Sequence, residues 1–313
     1  MNTSSVDAQE EQSVRTIEEL NVLILKNPNS VELYLQRAAI HRAENSLNEA
    51  FNDVNRALSL DSLSSEAQFE LGSLHYMVGN MGEAKFALES AIELDPANTE
   101  AMLELAELYF VLTNHNRSMR MINDALKVDE QLTKGYFLKG LIYKEQNNYE
   151  LAKSSLQTVT ELDPDHVEAF NLLGMLHAAD GDSLALQYYE TALAIDSTNL
   201  EVLYNRGYFY QDRLMAEEAL QAYNKMLDYH PGSAVAHFNK GYVLMGLMSE
   251  PEKAIDSFTE AIRYNPQYYQ AYSNRAVCLE ELGRKDQAIS DYEMALEIFP
   301  NFEPAVLGMN RLN

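Results

Sequence analysis

Small residues recur along this chain at a spacing of about 34, a rhythm that a single compact core would not impose. Gly72, Ala106, Gly140, Gly174, Gly207, Gly241 and Ala276 make one series. Ala50, Ala84, Ala152, Ala185, Ala219, Ala254 and Ala288 make a second about twelve residues further on, and Ala57, Ala91, Ala125, Ala192, Ala261 and Ala295 a third. Pro28, Pro96, Pro164, Pro231, Pro266 and Pro300 close the unit. Each unit therefore reads as a helix, a tight turn, a second helix and a break. The small residues belong where the two helices cross, since glycine or alanine at the contact lets the axes approach to about 8 Å instead of 10 Å.

Eight units start at Val31, Ser65, Thr99, Thr133, Val167, Leu200, Ala234 and Tyr269, and the last ends near Phe302. The fifth is one residue short in its turn and the seventh one residue long, both where a loop absorbs the change. Apolar residues follow helical spacing within each half-unit, as in Leu71, Leu74 and Val78, then Ala84, Leu88, Ala91 and Ile92. Ser46 with Glu49, and Ser249 with Glu252 and Pro251, read as capping boxes opening second helices. The expected organisation is a flanking helix within 1–30, the array over 31–302 and a short cap over 303–313. In the flank, residues 7–26 carry Ile17, Leu20, Leu23 and Ile24 at helical spacing; in the cap, Val306, Leu307 and Met309 cover the last unit and leave a face open to self-association.

A periodic array grows by adding neighbours, so 313 residues here count repeats rather than domains. Asp plus Glu total 48 against 23 Lys plus Arg, a formal net charge of -25 that repels phosphate backbones and anionic lipid. Nucleic acid is thereby disfavoured as a partner, and basic or neutral polypeptides are favoured. No apolar run approaches the roughly 18–20 residues of a membrane span. The opening residues carry neither a basic nor an apolar segment, which makes cytoplasm the default expectation; a periplasmic or lipid-anchored envelope protein with its leader removed is the alternative. The single cysteine, Cys278, lies in a predicted helix and reads as a buried structural thiol.

Catalytic patterns are missing. There is no His-Glu-x-x-His, no paired Cys-x-x-Cys and no glycine-rich phosphate loop, so neither an enzyme, a cofactor nor a metal is expected. The Asp180-Gly181-Asp182 turn lacks the further oxygen ligands of a calcium loop, because Leu184 and Leu186 supply none. Asp61, Asp95, Asp129, Asp163 and Asp196 recur at helix ends and read as junction residues. Asn2-Thr-Ser and Asn116-Arg-Ser match the glycosylation acceptor pattern, which matters only in a secretory setting.

The series resemble the tetratricopeptide repeat, whose 34-residue pattern runs aromatic, Leu-Gly, Tyr, Ala, aromatic, Ala, Pro. The likeness covers about Val31 to Phe302, and unit eight carries it as Tyr272, Ala276, Gly283, Ala288, Tyr292, Ala295 and Pro300. His41, His75 and His177 stand where the family has an inner tyrosine. Ser118 in place of the mid-unit alanine, Glu130 and Ser197 in place of closing prolines, and Val159 and Met226 at the third small site depart from the pattern. The resemblance implies an all-α fold, an α-solenoid that winds as a right-handed superhelix of antiparallel helix pairs. First helices would line a concave groove, with the second, fifth, sixth, ninth and twelfth residues of each unit facing it.

On that projection Glu32, Glu66 and Glu100 form one acidic row, and Glu70, Glu104 and Glu107 lie beside it among Phe69, Tyr76, Leu103, Phe110 and Phe137. Further along, Asn205, Asn239 and Asn274 fall at one register in successive units, flanked by Tyr204, Tyr208, Phe238 and Tyr242. Asparagine offers a donor and an acceptor, so such a row suits the backbone of an extended peptide. It is similar to the ladder in the superhelical arm of O-linked N-acetylglucosamine transferases. The lysine and arginine clamp with which some relatives hold chaperone tails has no counterpart, since no unit has lysine at its fifth residue. The expected role is a non-catalytic adaptor holding an extended, basic and partly apolar segment. A structural subunit docking in a larger envelope or secretion assembly through its outer face, and a non-catalytic arm of an enzyme complex, are the alternatives.

Overall fold

A computed structural model describes residues 15–312, which form eighteen helices and no strand among them. Of the helix expected over residues 7–26, the part from Ile17 to Lys26 is seen as α1 (Ile17–Lys26), and residues 7–14 lie outside the described residues. Pairs follow: α2 (Val31–Ala43) with α3 (Leu47–Leu60), α4 (Ser65–Met77) with α5 (Met81–Leu94), α6 (Thr99–Val111) with α7 (His115–Val128), and α8 (Thr133–Glu145) with α9 (Tyr149–Leu162). The next are α10 (Val167–Ala179) and α11 (Leu184–Ile195), α12 (Leu200–Asp212) and α13 (Ala216–Tyr229), α14 (Ala234–Gly246) and α15 (Pro251–Tyr264), α16 (Tyr269–Glu281) and α17 (Lys285–Ile298), ending with α18 (Glu303–Leu312). Two compact units divide inside α9, at Ser155 and Leu156.

Within the first unit α2 packs on α3, α4 on α5 and α6 on α7, while α2, α4, α6 and α8 touch in succession as one layer of first helices. The second unit repeats this with α10 against α12 and with α14, α16 and α18 in succession. Both units are therefore α-solenoid stacks.

The turn inside each pair is built the same way eight times. One residue adopts the left-handed conformation: Asn45, Gly79, Thr113, Asn147, Gly181, Leu214, Ser249 and Gly283, with φ between 54 and 79 degrees. Glycine and asparagine tolerate this region, whereas threonine and leucine meet their own Cβ there. This geometry also overrides both expected capping boxes. Ser249 is consumed by the left-handed turn and Glu250 becomes the N-cap ahead of Pro251, while Ser46 caps α3 by position without a side-chain hydrogen bond. A capping box does form at the start of α1, between Thr16 and Glu19.

The break between units has its own device. Asp61, Asp95, Asp129, Asp163 and Asp196 each accept, through Oδ1, the backbone N–H two residues on, at 2.8–3.1 Å. Asn265 does the same for Gln267 at 3.1 Å. These are Asx turns, a local reason for an acidic residue at that register.

Glycines of the first small series meet large side chains from the second helix of their own pair. A Cβ on Gly72 would lie 2.7 Å from Leu88 Cγ, on Gly207 2.7 Å from Tyr223 Cε1, and on Gly241 2.7 Å from Phe258 Cε1. Where the partner is β-branched an alanine suffices, as with Ala38 and Val54 or Ala106 and Ile122, all fully buried. Ser118, standing for an alanine, buries its hydroxyl by donating to the Ala106 carbonyl at 2.7 Å. At one end Leu20 and Ile24 of α1 close the core; at the other Arg311 of α18 grips Glu280 through two bonds of 3.0 and 2.9 Å.

Candidate partner-binding face

In the first unit the expected acidic rows come together on adjacent first helices, but they are not a bare row of carboxylates. Glu70 on α4 is only 8% exposed and accepts from Arg42 of α2 at 3.2 Å. Glu104 on α6 accepts from the Ser73 hydroxyl at 2.6 Å, and Glu107 pairs with Lys134 of α8 at 2.7 Å. Burial pushes the carboxyls of Glu70 and Glu104 up from the ordinary range; for Glu70 the nearby Arg42 opposes this, and Glu104, Glu66 and Glu100 add to it. The Tyr76 phenol is raised too, first by burial and then by the charges of Glu107 and Glu104. Leu103 is buried at 5% exposure in the core around Ile122 and Leu138, and Phe69 and Tyr76 pack half-buried against the neighbouring core around Leu88 and Leu105. Phe110 stacks on His115 with ring centroids 5.8 Å apart, and Phe137 is half-buried.

In the second unit the asparagines engage each other and their own helices. Asn205 donates to Asn171 Oδ1 at 3.0 Å, and Asn171 donates to Glu201 at 3.0 Å. Asn239 is 8% exposed and donates back to the Val235 carbonyl at 2.9 Å. Asn274 is half-buried on α16. Asn171 is a rung that counting from the unit start does not find: it is the fifth residue of α10, while Asn205 is the sixth of α12, and unit five is one residue short. A spacing of 34 from Asn205, rather than a position within the unit, is the signal that locates it.

Tyr204 and Phe238 pack into the core, Phe238 stacking on Tyr268 at 4.7 Å and lying 5.7 Å from Phe258. Tyr208 and Tyr242, by contrast, are 53% and 41% exposed at one register of α12 and α14. Beside Tyr208 lies a cleft of about 360 Å³ between α10 and α12, lined by Met175, Ala178, Tyr189, Asn205 and Arg213. The Arg213 guanidinium sits 3.8 Å above the Phe209 ring, and burial pushes the Tyr189 phenol up to about 12. The cleft combines apolar side chains with the Asn205 amide and with Arg213, whose guanidinium lies 3.6 Å from the Asp212 carboxylate that also lines it, a composition suited to one side chain of a bound segment.

The three histidines at the inner-tyrosine register are packed. His75 meets Phe51 edge-on at 5.1 Å, His177 lies 5.1 Å from Tyr188 with Nδ1 2.8 Å from Asp182, and His41 is 4.0 Å from Asp53. Asp182 also accepts from the Leu184 N–H at 3.0 Å, so the acidic turn is spent on local bonding. Among the described residues no three potential metal ligands converge, and no helix is long and apolar enough to cross a membrane. Cys278 is fully buried and its thiol pushed up to about 12, foremost by burial. Of the two glycosylation patterns, Asn2 lies outside the described residues, and Asn116 precedes a Ser118 whose hydroxyl is buried and taken.

Family models described as tetratricopeptide repeat match residues 75–133, 133–166, 201–233 and 269–302. The chain belongs to the tetratricopeptide repeat family. Proteins built from these repeats are generally protein-interaction adaptors. The repeats are 36% identical over 87 residues to the Hsp70-Hsp90 organizing protein of Triticum aestivum, an alignment that spans 28% of this chain and 15% of that one. They are 26% identical over 155 residues to a probable UDP-N-acetylglucosamine–peptide N-acetylglucosaminyltransferase SPINDLY of Hordeum vulgare, spanning 47% of this chain and 16% of the relative. The matched part is thus under a fifth of either relative's length. Among solved structures, the C-terminal part of a TPR repeat-containing protein from Cytophaga hutchinsonii superposes with a TM-score of 0.66 at 16% identity, over 77% of this chain and 99% of that one, a likeness of fold.

Proposed function

We propose that this tetratricopeptide repeat protein is a non-catalytic adaptor that holds an extended, basic or neutral segment of a partner protein against its first helices. The observation that carries the reading is the pair Tyr208 and Tyr242. Two large aromatic side chains stand 53% and 41% exposed at the same register of consecutive first helices, where packing does not require them. Exposed aromatics beside a cleft are the side chains that most often anchor a partner. The likeness to chaperone organising proteins supports adaptor work in general; the cited relatives are matched over too small a part for their own partners to carry over.

The test is crosslinking mass spectrometry on complexes captured from the source organism, with Tyr208→Ala/Tyr242→Ala as the variant. Both tyrosines are exposed, so helical circular dichroism should stay unchanged while capture is lost. Crosslinks confined to second helices, with capture intact in the variant, would refute the first-helix reading. They would favour docking through the outer face, a second reading supported by Phe86 of α5, 72% exposed beside a cleft of about 430 Å³ that includes Leu71 and His75.

A further inference from the structure

Tyr189 of α11, Tyr223 of α13 and Tyr292 of α17 share one register, four residues after the second series of small residues, and each is at most 2% exposed. From that register a phenol reaches the twelfth residue of its own repeat's first helix. Tyr223 donates to Gln211 Oε1 at 3.1 Å, and Tyr292 donates to Glu280 Oε2 at 3.0 Å. In the fifth repeat the twelfth residue is Ala178, which has no side-chain acceptor, and the Tyr189 phenol has no hydrogen-bond partner among the described residues. A buried hydroxyl without a partner leaves its desolvation unrecovered.

This phenol is not sealed in. Tyr189 and Ala178 both line the cleft of about 360 Å³ between α10 and α12, so the space opens where the sister repeats place a glutamine or a glutamate side chain. Asn205, on the same cleft, gives its amide hydrogen to Asn171 Oδ1 and keeps its own Oδ1 without a donor. Arg213 is already engaged, 3.8 Å above the Phe209 ring and 3.6 Å from the Asp212 carboxylate.

We infer that the cleft receives one glutamine side chain of the bound segment, whose amide carbonyl accepts from the Tyr189 phenol while its NH2 donates to Asn205 Oδ1. This deepens the reading above and rests on it, because Tyr208 is both the exposed aromatic of that reading and a wall of the cleft. A primary amide presents an acceptor and a donor side by side on an uncharged group. Lysine and arginine have no acceptor for the phenol proton, and glutamate has no donor for Asn205. Glutamate would also set a second carboxylate beside Asp212 on a chain of net charge -25. The methylenes of the glutamine find apolar contact at Met175 and at the Tyr208 ring. Gln211 already shows the pairing inside this molecule, the same phenol register satisfied by the same amide.

Three fluorescein-labelled dodecapeptides of alternating alanine and serine test this on the full chain by anisotropy, carrying glutamine, methionine or glutamate at the same two places. The ratio of glutamine to methionine affinity should fall about three- to tenfold in Tyr189→Phe, the worth of one net hydrogen bond, and the glutamate peptide should bind at least about threefold more weakly than the glutamine peptide. Phenylalanine occupies this register in the seventh repeat as Phe258, so helical circular dichroism should not change. Ala178→Gln supplies the acceptor from the chain itself; it should remove the same preference and raise the urea midpoint. Tyr223→Phe deletes a phenol that is already paired, and should leave the ratio within about twofold.

A ratio unchanged in Tyr189→Phe, an equal fall in Tyr223→Phe, a glutamate peptide that binds as tightly as the glutamine peptide, or no binding of any peptide up to millimolar concentration would each overturn the inference. A partner lost on Tyr208→Ala/Tyr242→Ala but indifferent to Tyr189→Phe and Ala178→Gln sinks the glutamine pocket and leaves the adaptor reading standing. Glutamine preference that depends on Tyr189, with native crosslinks confined to second helices, sustains the pocket and sinks the first-helix reading.

Discussion

Gly241→Ala isolates the rule that sets how closely the two helices of a repeat approach. An alanine Cβ at this site would lie 2.7, 2.8 and 3.0 Å from Cε1, Cδ1 and Cζ of Phe258, a ring that is fully buried and has no solvent side to retreat toward. Overpacking of this kind costs about 1–3 kcal/mol. Alanine also gains about 0.8–1.0 kcal/mol of helix propensity over glycine, so the net loss should be roughly 0.5–2 kcal/mol. Gly82, in the first turn of α5, has nothing within 4 Å of its Cβ direction, so Gly82→Ala should show only the gain, about 0.5–1 kcal/mol. The pairing of Ala106 with Ile122 supplies the rescue. In a Phe258→Ile background Gly241→Ala should become neutral or stabilising, giving a coupling of roughly 1–2 kcal/mol in the double-mutant cycle.

Urea denaturation measures the sums, and hydrogen exchange by mass spectrometry locates them. Repeats couple to their neighbours, so extra exchange should appear in α14 and α15 and not in α2 to α5. If Gly241→Ala proved as stabilising as Gly82→Ala, close helix approach would not be the reason for glycine in this series, and the argument would fail.

Two further substitutions probe the same periodicity. Arg37 and Arg275 each make a two-pronged bond to an aspartate sixteen residues on, Asp53 at 2.7 and 2.6 Å and Asp291 at 2.7 and 2.7 Å, whereas the equivalent Arg206 has the buried Ala222 at that register and leaves its Nε buried without a partner. Ala222→Asp should therefore be neutral or stabilising by up to about 1 kcal/mol in wild type, yet cost about 3–5 kcal/mol in an Arg206→Met background, where the new charge is alone; equal costs in both would contradict the pairing. Leu214 holds φ at 59 degrees while 73% exposed, so Leu214→Asn, matching Asn45 and Asn147, should raise stability by about 0.5–1 kcal/mol in the same denaturation assay, and a loss would mean the leucine packs in a way its exposure conceals.

The helical array was legible before any coordinates because its determinants are local and repeated eight times. A small residue at each crossing, an aspartate at five of the breaks and a one-residue indel confined to a turn can be recognised without knowing what they touch. Where the same sequence cues competed with turn geometry they misled: Ser249 offered a cap but was needed, one residue early, in a left-handed turn. The face made by the first helices was legible only as a set of registers. Those registers do not say that Glu70 is enclosed while Tyr208 is open, that Asn239 bonds its own helix, or that Asn171 rather than Leu172 continues the asparagine row. Such outcomes depend on which side chain of a neighbouring repeat arrives opposite, and that is fixed by packing between residues about 34 apart. Periodicity alone thus determined the repeating hairpin, because its hydrogen bonds and crossings are internal to each unit; tertiary stacking decided the burial and charge of the binding face, because desolvation and Coulomb forces sum over neighbours that no single repeat contains.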